Sequence, residues 1–161
     1  LRVAGIPVVA LVAGKNGAFG GIGITAACSD TLLISEQGRS GVSGPEVIET
    51  VMGADEYDSK DRALVWRTCG GKQRALLGLS EYLPTDFIAL KQLLITALER
   101  PVQFDVASLV SQNEHLASLV TRFATSHDAT EIWGELGVSN PQSVPDLNDS
   151  AFQQLLLALA R

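Results

Sequence analysis

Between residues 17 and 23 the chain reads GAFGGIG, four glycines in seven positions, just after the apolar run Val8-Val9-Ala10-Leu11-Val12-Ala13. That run, rich in Val and bounded by Pro7 and Gly14, predicts a strand covered on both faces and central in its sheet. A backbone this bare at the end of a strand has three uses: a cradle for a nucleotide phosphate, a set of N–H groups for an oxyanion, or a tight turn with no chemical role. The first fails on spacing. Gly21-Ile22-Gly23-Ile24-Thr25-Ala26 fits G-x-G-x-x-G/A, and Glu36 could stand as the ribose acid, but seven residues from Gly14 to Gly20 separate it from the strand. Lys15 precedes the glycines and no Gly-Lys-Ser/Thr occurs, so there is no phosphate-binding P-loop. Gly41-Val42-Ser43-Gly44 lacks the G-x-S-x-G spacing of a nucleophile elbow. The oxyanion and close-packing readings both stay open.

After the glycines, the sequence predicts a helix over 22–29 and a buried strand over Thr31-Leu32-Leu33-Ile34-Ser35, completing a βαβ unit. A short strand is expected around 40–43, and Gly44-Pro45 opens a helix to about Val51, since proline is tolerated in the first turn. Asp55, Glu56, Asp58 and Asp61, alternating with Lys60 and Arg62, read as a solvated, salt-linked face. Ser59 is the expected N-cap of a helix through Arg67 that ends at Gly70-Gly71; residues 72–79 fit no single template. A helix over 86–99, apolar at Phe87, Leu90, Leu93, Leu94 and Ala97, precedes Pro101. The style of the chain then changes, because 13 of the 15 glycines lie before residue 80, while 104–124, 129–136 and 150–160 read as helices. The expectation is an α/β core over 1–100 and a helical tail over 101–161 that packs on the core or on a partner.

Charge follows the same division. The net charge is −6, and the tail holds seven of the 18 acids but two of the 12 bases. An anionic ligand meets less repulsion at the core, and no basic stripe with interleaved aromatics suggests nucleic acid. Two cysteines, Cys28 and Cys69, and two histidines show no metal-ligand spacing, so no metal site is expected and free thiols point to the cytoplasm. No run reaches the length of a membrane span. Because Leu1 leads almost at once into a buried-type strand, the chain reads as part of a longer protein.

Residues 6–35, IPVVALVAGKNGAFGGIGITAACSDTLLIS, resemble the crotonase-superfamily segment in which a strand, an Ala-aromatic-Gly-Gly turn, a helix and a Cys-x-Asp strand form half of an acyl-thioester site. The next stretch, GRSGVSGPEVIETVMGADEYDSKDRALVWRTCGGKQRALLG, resembles the β subunits of biotin-independent malonate decarboxylases; carboxyltransferase subunits of biotin-dependent carboxylases share its Gly-Pro-x-Val-Ile-Glu core. The resemblance spans most of residues 5–100, with a looser likeness over 129–159. It implies a crotonase-like α/β fold, a ββα spiral incomplete at its N-terminus. It also implies decarboxylation of a malonyl thioester to the acetyl thioester, in a complex with a γ subunit and an acyl-carrier subunit bearing a CoA-derived arm. No cofactor would be bound by this chain and no biotin required; a biotin-dependent carboxyltransferase subunit is the alternative.

By the same resemblance Gly20 and Gly21 carry the oxyanion N–H groups, and Phe19 and Gly44 line the substrate. Ile24 stands where enoyl-CoA hydratases place a catalytic glutamate, which argues against hydration. Glu46, at a helix start where the dipole favours an anion, is either a site carboxylate or simple helix electrostatics. Lys72 and Arg74, after Gly70-Gly71, either steer an anionic substrate or solvate the surface.

Overall fold

The computed structural model describes residues 1–160. Its strands are β1 (Val9–Val12), β2 (Ala18–Phe19), β3 (Thr31–Ser35), β4 (Ser40–Gly41) and β5 (Glu81–Leu83). The α-helices are α1 (Gly21–Ala27), α2 (Pro45–Met52), α3 (Arg62–Cys69), α4 (Gly71–Leu76), α5 (Phe87–Glu99), α6 (Val106–Arg122), α7 (Ala129–Glu135) and α8 (Asp149–Leu159). Two parallel sheets form, one in the order β1-β3-β5 and one pairing β2 with β4. The chain therefore visits the sheets in turn: β1 and β2 are followed by α1, and β3 and β4 by α2. Leu33 and Ile34 of β3, both fully buried, sit between the two neighbours and anchor the larger sheet.

Three sequence expectations change. β1 is an edge strand among the described residues rather than a central one, and Leu11 is 46% exposed. A continuous apolar run marks a strand suited to cover on both faces, but only the β3 edge is filled here. The N-cap of α3 is Asp61, whose carboxylate accepts from the Leu64 N–H, whereas the N–H of Ser59 donates to Glu49 Oε2 at 2.7 Å. The Ser59 side chain first, and that N–H second, hold the Glu49 carboxyl below its ordinary pKa. Residues 71–76, ambiguous by pattern, form the buried helix α4.

The tail is joined to the core by one apolar cluster. Trp133 of α7, Phe152 of α8 and Val144 between them are buried against Ala75, Leu76 and Tyr82. The Tyr82 and Phe152 rings meet edge to face with centroids 4.7 Å apart. Burying these three tail side chains contributes on the order of 5 kcal/mol before ordering entropy is counted. By contrast, α6 buries no residue.

Candidate functional site

The glycine turn is built by β2 and β4. Ala18 N–H donates to the Arg39 carbonyl at 2.8 Å and Gly20 N–H to the Val42 carbonyl at 2.9 Å, so the turn is laced to the strand beside it. Three of its glycines answer to the fold, two by packing and one by backbone conformation. A Cβ on Gly23 would lie 2.3 Å from the Gly41 carbonyl oxygen, and one on Gly17 would overlap the Phe19 ring. Gly20 adopts φ +63°, a left-handed conformation that side chains disfavour. Gly21 answers to none of these: it is exposed, its φ is not positive, and nothing lies within 4 Å of the place a Cβ would take.

Gly21 stands at the start of α1, on the wall of an apolar groove of about 650 Å³. Val9 and Leu11 of β1, with Ile22 and Thr25 of α1, form much of the lining. The groove runs along β1, so the bare backbone at Gly21 borders an apolar space.

Of the residues singled out by sequence, Phe19, Gly20, Gly21, Gly44 and Glu46 come together. The Phe19 ring lies 3.9 Å from the Cβ position of Gly44, and Glu46 Oε2 lies 3.5 Å from the same point. Two corrections follow within this group. The Gly20 N–H is already bonded to Val42, leaving Gly21 as the donor of the pair without such a partner, and the Phe19 ring is wedged into the space that Gly17, Gly41 and Gly44 leave. Glu46 is exposed at the first turn of α2.

Lys72 and Arg74 are neither at this turn nor solvated. Lys72 is 8% exposed, and its ammonium donates to Glu36 Oε1 at 2.8 Å and to the Pro145 and Leu147 carbonyls at 2.8 and 2.7 Å. All three protons are engaged, so it latches the tail instead of steering a substrate. Arg74 donates twice to the Ser40 carbonyl, at 3.1 and 2.8 Å, supporting β4 from below; burial pushes its pKa down. The second cavity, about 550 Å³ beside Trp66 and Trp133, lies at this seam. Cys69 is buried and burial raises its pKa, which keeps it an unreactive thiol, while Cys28 is exposed.

Sequence reasoning passed over Arg39. Nothing in GRSG distinguishes it, because its contacts come from residues 15, 18, 19 and 66.

A solved structure with the same course of chain is that of a Pseudomonas malonate decarboxylase hetero-tetramer in complex with malonate, with TM-score 0.58 and 37% identity over 61% of this chain and 36% of that one. A curated relative, the malonyl-S-ACP:biotin-protein carboxyltransferase MADC of Malonomonas rubra, is 33% identical over 154 residues, 91% of this chain. Over most of its length this chain is similar to malonate decarboxylase subunits and to that carboxyltransferase. It spans about half the length of that curated relative, 48%. The Pseudomonas malonate decarboxylase MdcD-MdcE hetero-dimer matches with TM-score 0.54 and 28% identity, over 71% of this chain and 46% of that one. No protein-family model matches the chain. Among the described residues no helix is long and apolar enough to cross a membrane.

Proposed function

We propose that this chain is part of a β-type subunit of malonate decarboxylase and that the Gly21 N–H is one half of its oxyanion hole. The observation that carries the reading is the bareness of Gly21, a glycine that the fold itself does not require, inside the segment shared with the family. In the reaction the bond from the α-carbon to the carboxylate breaks, CO₂ departs, and the electron pair moves onto the thioester carbonyl as an enolate. Protonation of the α-carbon then gives the acetyl thioester. A backbone N–H aimed at the enolate oxygen stabilises the charge that develops, and one such donor is worth about 10²–10³ in kcat. An acyl group seated in the apolar groove beside Gly21 would displace water there and strengthen that bond.

The proposal includes a γ-type subunit and an acyl-carrier subunit as partners, with the malonyl group on the carrier's CoA-derived arm and no cofactor held by this chain. The alternation of β1, β2 and α1 with β3, β4 and α2 supports a crotonase-like ββα spiral. We take residues 1–100 as the acyl-thioester unit, 101–161 as its tail, and the cytoplasm as its compartment. Glu46 and Gly44 complete the rim of the site in this reading.

Gly21→Val in the reassembled complex tests it. With φ in the ordinary range and open space around it, the side chain is accommodated, yet it stands where the carbonyl must approach. CO₂ release from the malonyl carrier should fall by about 100-fold or more; unchanged release overturns the reading.

A second reading is favoured by the curated relative, whose name makes it a carboxyltransferase to a biotin protein. The same enolate forms, but the carboxylate passes to biotin. Free CO₂ without any biotin protein supports decarboxylation, and carboxylation of an added biotin protein supports transfer.

A further inference from the structure

We propose that Arg39 is the positioning residue of the glycine turn, an inference that rests on the reading of Gly21 above. Arg39 holds the turn at three points. Its Nη2 donates to the Lys15 carbonyl at 2.7 Å, its own carbonyl accepts the Ala18 N–H at 2.8 Å, and its guanidinium lies 5.9 Å from the centroid of the Phe19 ring. On the α3 side the same guanidinium stacks 4.5 Å from the Trp66 ring. Trp66 is itself fixed by its indole N–H, bonded to the Glu36 carbonyl at 3.0 Å.

Among the described residues no carboxylate lies within ion-pair distance of Arg39, and its Nε is buried without an acceptor. Half-burying a cation against two rings and a carbonyl, with its Nε unfilled, is a poor arrangement for stability, since a buried unfilled donor costs about 1–3 kcal/mol and an apolar side chain would avoid it. It is a good arrangement for geometry. A planar, permanently charged fork is satisfied only when the Lys15 carbonyl and both rings sit at fixed places around it. Phe19 transmits the constraint. Its ring is confined by Gly17, Gly41 and Gly44, and its backbone leads straight into Gly20, whose left-handed φ and bond to Val42 set the direction of the next peptide. That next peptide carries the Gly21 N–H. Releasing Arg39 lets residues 15–19 shift, and a displacement near 1 Å at a reacting centre costs about 100-fold in rate.

The test uses the reassembled complex and the malonyl carrier. Arg39→Met keeps the aliphatic stem and loses the fork; Arg39→Lys keeps the charge and loses the planar stack. Both should lower kcat, measured per assembled complex, by about 10–100-fold with KM within about two-fold. Arg62→Met, which removes the cation 4.6 Å from the same Trp66 ring but has no contact with the turn, should leave kcat within about two-fold. Should Arg39→Met fail to fold, Arg39→Lys decides alone. Wild-type kcat in Arg39→Lys, a rise in KM alone, or an equal loss in Arg62→Met overturns the proposal. Gly21→Val is run beside them. If it remains fully active, the reading of Gly21 falls and this proposal with it; if it is inactive while the Arg39 variants are not, only the role of Arg39 falls.

Discussion

Two glycine pairs open helices in this chain, Gly20-Gly21 before α1 and Gly70-Gly71 before α4, and they serve opposite purposes. At the second pair both glycines are buried and both are required by contact: a Cβ on Gly70 would lie 2.4 Å from the Trp66 carbonyl oxygen and one on Gly71 2.2 Å from that of Ser35. At the first pair Gly20 is required by its φ, and Gly21 by nothing in the fold. The charged residues beside each pair follow suit. Lys72 and Arg74 turn inward to carbonyls, whereas the surroundings of Gly21 are apolar and open. Glycine density in a sequence marks where backbones must come close. Whether the close neighbour is the protein itself or a ligand depends on what the fold leaves unfilled.

Substitutions at the two pairs sharpen this contrast. Gly71→Ala should be the most damaging, because its Cβ meets backbone that cannot move aside; a loss of about 3 kcal/mol is expected in urea unfolding. A loss below about 1 kcal/mol would show that the α4–β3 contact relaxes and that the pair is less constrained than its geometry says. Lys72→Met comes next, at about 2 kcal/mol, since it strands the Pro145 and Leu147 carbonyls. Glu36→Gln should cost well under 1 kcal/mol, because the Glu36 side chain is 43% exposed and regains water. Limited proteolysis should then cut the Lys72→Met tail near residues 141–148 while leaving the core intact.

Acid should loosen the same seam. Asp149 begins α8 and accepts from the Tyr82 hydroxyl at 2.6 Å and from the Thr85 N–H and hydroxyl at 2.7 and 2.5 Å. Burial alone would raise its pKa, but the bonds from Thr85 and Tyr82 outweigh it and hold the carboxyl below the ordinary range. Asp128, bonded to Thr130 and paired with Arg67, is lowered in the same way. A lowered native pKa means the contribution is fully present above the unfolded value, near 3.9, and is lost as pH falls through the native one. Stability should therefore hold from pH 7 to about 5 and begin to fall below about 4, and Asp149→Asn should remove the part of that fall due to Asp149. The smallest effect is expected at Gly21→Ala, within about 0.5 kcal/mol of wild type and on the stabilising side, because the site is open and the unfolded chain loses freedom. A large destabilisation there would mean Gly21 is a packing glycine like Gly71.

Much of the fold was legible in the sequence. Thr31–Ser35, Pro45–Met52 and Phe87–Glu99 follow from an apolar run, a proline in the first turn and a helical period closed by Pro101, all local signals. β2 and β4 were harder, since each is two residues long and exists only because the other lies beside it. The candidate turn was visible in GAFGGIG, yet the four glycines look alike in one dimension; only the distances separate Gly21 from Gly17 and Gly23. Lys72 was misread for a related reason. Nothing near it in sequence announces carbonyls 73 and 75 residues away.

By itself, then, the sequence determined where strands, helices and bare backbone fall, because these depend on steric and hydrophobic patterns within a few residues. It also carried the motif by which the chain resembles malonate decarboxylase subunits. The tertiary structure decided which groups are left over. Gly20 gives its N–H to Val42, Lys72 gives its charge to the tail, Arg39 is caught between two rings, and Gly21 remains unclaimed. Such claims are made by partners far along the chain, and their result is fixed only when the backbone brings those partners within hydrogen-bond reach.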